Sequence, residues 1–158
     1  MIGRGDTAPT FTLPGADPGG TDEYSLEEYT DRGWTVVLVF YPFDFHPTCT
    51  EQVCTVRDAD WLTLVEGSAV LGVGGDSVYS HRAYAAEHDV NYPLLADADG
   101  SVADAYGLRA DVEGHRNVPE RAAVVVDEDR TVRFTWRADD PEDTLDVGAV
   151  SSAVEALG

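Results

Sequence analysis

The sequence predicts a single α/β domain over residues 1–158, with a mixed central sheet flanked by helices and an antiparallel hairpin at one edge. Two observations carry this. Two β-branched apolar runs, "WTVVLVFY" (residues 34–41) and "SAVLGVGGDS" (68–77), are separated by a helix-length segment, as in a parallel β-α-β unit. Further on, "RAAVVVDEDRTVRFTW" (121–136) reads as strand, acidic turn and strand.

Taken in order, the stretch up to residue 32 reads as a short hairpin with loops. Residues 34–41 are apolar on both faces, which suits a central parallel strand. A helix is expected from about Thr48 to Val65, with Val53, Val56, Trp61 and Leu64 on its apolar side. The run 68–77 returns as a second buried strand. Its "GVGGD" lacks the third spaced glycine of a dinucleotide loop and is read as a strand end with a turn. "SVYSHRAYAAEHDV" (77–90) gives a short helix on which His81, Tyr84 and His88 share a face, as packed or capping groups rather than metal ligands. Another short helix is expected near residues 102–106. In the hairpin, residues 122–126 form one strand and 131–136 the other, with Val132, Phe134 and Trp136 alternating onto one face. Val147, Val150, Val154 and Leu157 make one stripe of a terminal helix. The sequence gives no sign of a repeat or a second domain.

A chain of 158 residues that is 43% apolar is long enough to bury one core. Its charge is extreme: thirty acids against ten basic residues give −20, and every basic residue is arginine. Such a charge repels itself at low ionic strength, but the Debye length at 1 M salt is only about 3 Å. The expected setting is therefore a salt-filled, halophilic cytosol. Nucleic acid and anionic membrane are poor partners for this surface. No apolar run reaches the roughly 18 residues of a membrane helix, and "MIGRGDTAPTF" has no signal-peptide pattern, so a cytoplasmic location is expected. There thiols stay reduced, and two close cysteines point to redox or metal chemistry rather than to a fixed staple.

Both cysteines fall in "YPFDFHPTCTEQVC" (41–54). Cys49 follows the first central strand, where open α/β sheets place their sites. "TCTE" (48–51) fits a capping box, with the Thr48 hydroxyl and Glu51 closing the helix start. Cys49 would then sit in the first turn, where free amides and the helix dipole lower a thiol pKa. In an intact helix, Cys49 and Cys54 have α-carbons about 8.7 Å apart, beyond the roughly 7 Å a disulfide tolerates. Pairing them requires the first turns to unravel. Arg57 lies on a similar helix face to Cys49, with an ion pair to an acid as the default reading. A metal module built on His46, Cys49 and Cys54 lacks an evident fourth ligand. A thioredoxin-type reductase calls for two residues between its cysteines, and here there are four.

At these residues the sequence resembles the peroxiredoxins, most closely their Q-type (bacterioferritin comigratory protein) branch. "PFDFHPTC" supplies Pro42 and Cys49 at the family spacing, and "CTVRD" (54–58) matches the branch's resolving cysteine and its ending. The likeness extends over "GDTAPTFTLPG", residues 76–108 and "RAAVVVDEDRTVRFTW", nearly the whole chain. It implies a thioredoxin-like fold and a thiol-dependent peroxidase needing neither metal nor cofactor. It assigns Cys49 as the peroxidatic sulfur, Cys54 as its resolving partner, Arg121 as the group that holds the thiolate and polarises peroxide, and Pro42 as the shield. A thioredoxin-like or other thiol donor would reduce the disulfide, in a monomer or homodimer. Two departures stand out. His46 replaces the family hydroxyl that meets thiolate and peroxide, with Thr48 as the other candidate for that role, and Gln52 replaces a glutamate but could still bond Arg121. A redox-switched holdase or peroxide sensor using the same pair is the alternative.

Overall fold

The computed structural model describes residues 1–59 and 66–157. Seven strands form one sheet: β1 (Thr12–Asp17), β2 (Gly20–Ser25), β3 (Thr35–Tyr41), β4 (Ser68–Gly74), β5 (Leu94–Ala96), β8 (Ala122–Val126) and β9 (Val132–Arg137). Their order across it is β2-β1-β5-β4-β3-β8-β9. The strands β6 (Arg109–Val112) and β7 (His115–Pro119) pair separately as a small hairpin. The helices are α1 (Leu26–Thr30), α2 (Pro47–Arg57), α3 (Val78–Glu87), α4 (Ser101–Ala105) and α5 (Val147–Glu155).

β3 is central because it has no polar face to leave in water. Val37, Val39 and Tyr41 enter the core cluster shared with α2, α3 and α5, while Val36, Leu38 and Phe40 enter the cluster on the opposite side. Such a strand needs a neighbour at each edge and a layer over each face. It pairs in parallel with β4, Val37 opposite Val70, and antiparallel with β8, Val37 opposite Val125. β5 continues the parallel set beside β4, and β1 closes that side antiparallel. The expected mixed sheet and the antiparallel β8–β9 hairpin at one edge are both present.

Some elements differ from expectation. The amino-terminal hairpin is a full part of the sheet, with the unexpected α1 behind it. β5 and the β6–β7 hairpin were not foreseen. α2 ends at Arg57, capped by Asp58, rather than at Val65; Val53 and Val56 are buried as expected, while Trp61 and Leu64 lie outside the described residues. Opposite Val125 and Val126 of β8 the register shifts on β9, so Val132 joins one core cluster while Phe134 and Trp136 lie against the other. A bulge adds one residue and breaks the two-residue period that placed all three together. Val150 and Val154 of α5 are buried, with Val147 and Leu157 packed beside them.

The layering sets how unequally side chains contribute. Leu38 is fully buried in β3, so Leu38→Ala is expected to cost about 2–5 kcal/mol in urea denaturation. Tyr79 is 80% exposed, and Tyr79→Ala is expected to stay within about 0.5 kcal/mol of the parent.

Candidate active site

The chain leaves β3 at Tyr41 and turns through residues 42–46 into α2. Phe45 takes a left-handed φ of 66°, rare for a residue with a side chain, which lets the loop reverse in so few residues. Pro47 occupies the first helical position, where its fixed φ and missing N–H carry no penalty. The cap therefore falls on His46, whose Nδ1 accepts from the Thr48 N–H at 3.3 Å. This corrects the expected capping box: Thr48 and Glu51 lie inside the helix, not at its edge. Cys49 still falls in the first turn, only 2% exposed.

Four groups surround the sulfur. The Phe43 N–H donates to Cys49, and the Arg121 guanidinium attracts its negative charge, while the carboxylates of Asp44 and Glu113 oppose that charge. Burial outweighs the two favourable groups and pushes the thiol up to about 11. The expected lowering is thus not met in this arrangement: the first helical turn is present, but the Cys49 side chain is buried.

Arg121 stands immediately before β8, where Ala122 pairs with Phe40 of β3, so the sheet carries it to the sulfur's side. It is 8% exposed and held by three hydrogen bonds. One Nη donates to the carbonyl of Asp143 at 2.9 Å and to Gln52 Oε1 at 3.4 Å, and the other to the carbonyl of Asp140 at 3.0 Å. Gln52 in turn donates to the Phe40 carbonyl at 2.9 Å, so it links α2, β3 and Arg121.

A cavity of about 500 Å³ opens over Cys49 and is lined by Pro42, His46, Thr48, Arg121 and Glu113. Glu113 comes from the tip of the β6–β7 hairpin, and His46 Nε2 lies 3.0 Å from its carboxylate. His46 thus faces the cavity with both nitrogens occupied, one by the cap and one by Glu113. The structure brings Pro42, His46, Thr48, Cys49 and Arg121 to this one cavity; Cys54 is not among its lining residues. Cys54 is partly buried further along the intact α2, and neither cysteine is in a disulfide. Arg57 pairs with Asp58 at 2.9 Å and donates to the His88 carbonyl at 2.7 Å, away from the cavity.

A family model described as AhpC/TSA matches residues 4–135. The chain belongs to that family. Among its AhpC/TSA relatives, the putative peroxiredoxin bcp of Coxiella burnetii is 34% identical over 84% of this chain and 86% of its own length. The chloroplastic peroxiredoxin Q of Gentiana triflora is also 34% identical over 85% of this chain, a match that spans only 59% of the relative's length. Among solved structures, peroxidoxin BcpB from Mycobacterium tuberculosis superposes with a TM-score of 0.84 at 29% identity, covering 100% of this chain and 99% of that one. A reduced 2-Cys peroxiredoxin from Plasmodium vivax, at 22% identity and a TM-score of 0.85 over 98% and 95% of the two chains, shares the fold.

The sequence carries no signal for Asp44, Glu113 or the carbonyls of Asp140 and Asp143 at this site. Backbone groups leave no mark in a sequence, and Glu113 reaches the site only through the unforeseen hairpin. Among the described residues, no cluster of three or more His, Cys, Asp or Glu is placed to hold a metal ion, and no helix is long and apolar enough to cross a membrane.

The raised Cys49 thiol couples to stability with a definite sign. Its contribution is fully present below the ordinary thiol pKa of 9.0 and is lost as pH rises through about 11, because only the unfolded chain ionises in that window. Denaturant titrations at about pH 8 and about pH 11 are expected to show wild type losing up to about 3 kcal/mol more than Cys49→Ser across the interval.

Proposed function

We propose that the chain is a thiol-dependent peroxidase that reduces hydrogen peroxide and organic hydroperoxides through Cys49. The observation that carries this is a sulfur lining a cavity, favoured as an anion by the Phe43 amide and by the charge of a buried arginine that lines the same cavity. In the first step sulfur bonds to one peroxide oxygen and the O–O bond breaks. The thiol proton ends on the departing oxygen as water or alcohol, leaving Cys49 as a sulfenic acid. Because burial favours the resting thiol, the Arg121 charge helps by stabilising the negative charge that moves from sulfur onto the departing oxygen. Pro42 shields the sulfur, and His46 and Thr48 line the side on which peroxide arrives.

The second step joins the Cys54 sulfur to Cys49 with release of water, giving a disulfide that a thioredoxin-like dithiol reduces with two electrons. In the intact helix the α-carbons are too far apart for this bond. The first turns of α2 must come away, which breaks the hydrogen bonds from Tyr84 to Thr50 Oγ1, from Tyr92 to the Val53 carbonyl and from Gln52 to the Phe40 carbonyl.

Peroxide consumption with a thioredoxin system tests both steps. Cys49→Ser is expected to fall to background. Cys54→Ser is expected to consume about one equivalent in a single turnover and then stop. Full consumption by Cys49→Ser overturns the peroxidase reading, and undiminished multiple turnover by Cys54→Ser overturns the intramolecular disulfide.

A further inference from the structure

One buried carboxylate beside the site takes no part in the peroxidase chemistry. Asp44 lies in the loop between β3 and α2, next to the Phe43 amide that meets Cys49, and its side chain is fully buried. Its Oδ1 accepts from the Tyr41 hydroxyl at 2.8 Å. Its Oδ2 accepts from Ser80 Oγ at 2.8 Å and lies 2.7 Å from His81 Nδ1. The other nitrogen of the fully buried His81 ring is 3.0 Å from the Leu95 carbonyl. With an acceptor on each side of the ring, a proton must stand on each contact, either both from the ring or one shared with the carboxyl. The Asp44 N–H donates to Asp76 Oδ2 at 2.7 Å. The assembly leaves no spare room: a Cβ on Gly74 of β4 would come within 2.8 Å of both the His81 and Tyr41 rings. The carboxylate thereby ties the end of β3 to the first turn of α3, and His81 carries the link on to β5.

We propose that Asp44 is a positioning residue for Cys49: its donors fix the loop that presents the Phe43 N–H to the sulfur, and by drawing on the carboxylate they limit the negative charge the sulfur meets. The proposal rests on the reading of Cys49 as the reacting sulfur. The charged and titratable groups that act on that sulfur are Arg121 before β8, Asp44 in the loop, Glu113 with its partner His46 on the hairpin side, and Tyr84 of α3. Asp44 itself faces Tyr41, Ser80 and His81, with Asp76 at its backbone and Tyr84 nearby. Removing the carboxylate charge and removing its donors should therefore move Cys49 in opposite directions. A general loosening of the fold would not.

The test is the rate of Cys49 alkylation by iodoacetamide against pH, followed by mass in the reduced Cys54→Ser protein. At about pH 8, Asp44→Asn is expected to react about threefold faster or more, and His81→Gln and Tyr41→Phe slower by a similar factor. Tyr41→Phe deletes one hydroxyl and keeps the ring, so it carries the second arm if circular dichroism shows His81→Gln unfolded. Shifts of one sign in all variants, or an unmoved pH midpoint, overturn the proposal. Alkylation reads the sulfur's ionisation whether or not peroxide is turned over, so failure here stays distinct from peroxide consumption that survives Cys49→Ser.

Discussion

The contact on which the site depends is the hydrogen bond from the Phe43 N–H to the Cys49 sulfur, made where burial works against the charge it would stabilise. A thiol in the first helical turn of an open site would ionise readily. Here the hairpin residue Glu113 lines the cavity over the same turn, and burial pushes the thiol up to about 11. Everything adjacent can be read as an adjustment of that balance. Arg121 pulls toward the anion, Asp44 and Glu113 push against it, and Gln52 holds Arg121 without cancelling its charge. A carboxylate at position 52 would have neutralised part of the guanidinium field; an amide leaves it intact.

The sheet explains how residues far apart in the chain reach one cavity. β3 delivers the loop and the start of α2, and its antiparallel neighbour β8 begins with Arg121 on the same side. The hairpin of β6 and β7 then brings Glu113 across, where it meets His46. His46 is consequently a structural joint as well as a wall of the cavity: the same ring caps α2 and ties the hairpin to it.

The sequence made some of this plain. β3 and β8 were legible because five or more consecutive apolar residues have no other stable home in a domain of this size. Pro42, His46, Thr48, Cys49 and Arg121 meet as a group because strand ends and a helix start converge there. β5 was hidden by its three-residue length, and the β6–β7 hairpin by a run with little apolar alternation. That hairpin turns on Glu113 and Gly114, both with positive φ, a local backbone feature that composition marks only weakly. The capping box was a real pattern overridden by Pro47, which moved the helix start to His46. Asp44 gave no signal because Ser80 and His81 lie more than thirty residues away in the chain.

The most direct measurement is the ultraviolet absorbance of the Cys49 thiolate in reduced Cys54→Ser protein, titrated from about pH 6 to about pH 12 against a double-serine blank. A single step with its midpoint above that of an ordinary thiol, near 11, is the result this structure predicts. A step below neutrality would contradict it, because the helix amides and Arg121 would then outweigh burial.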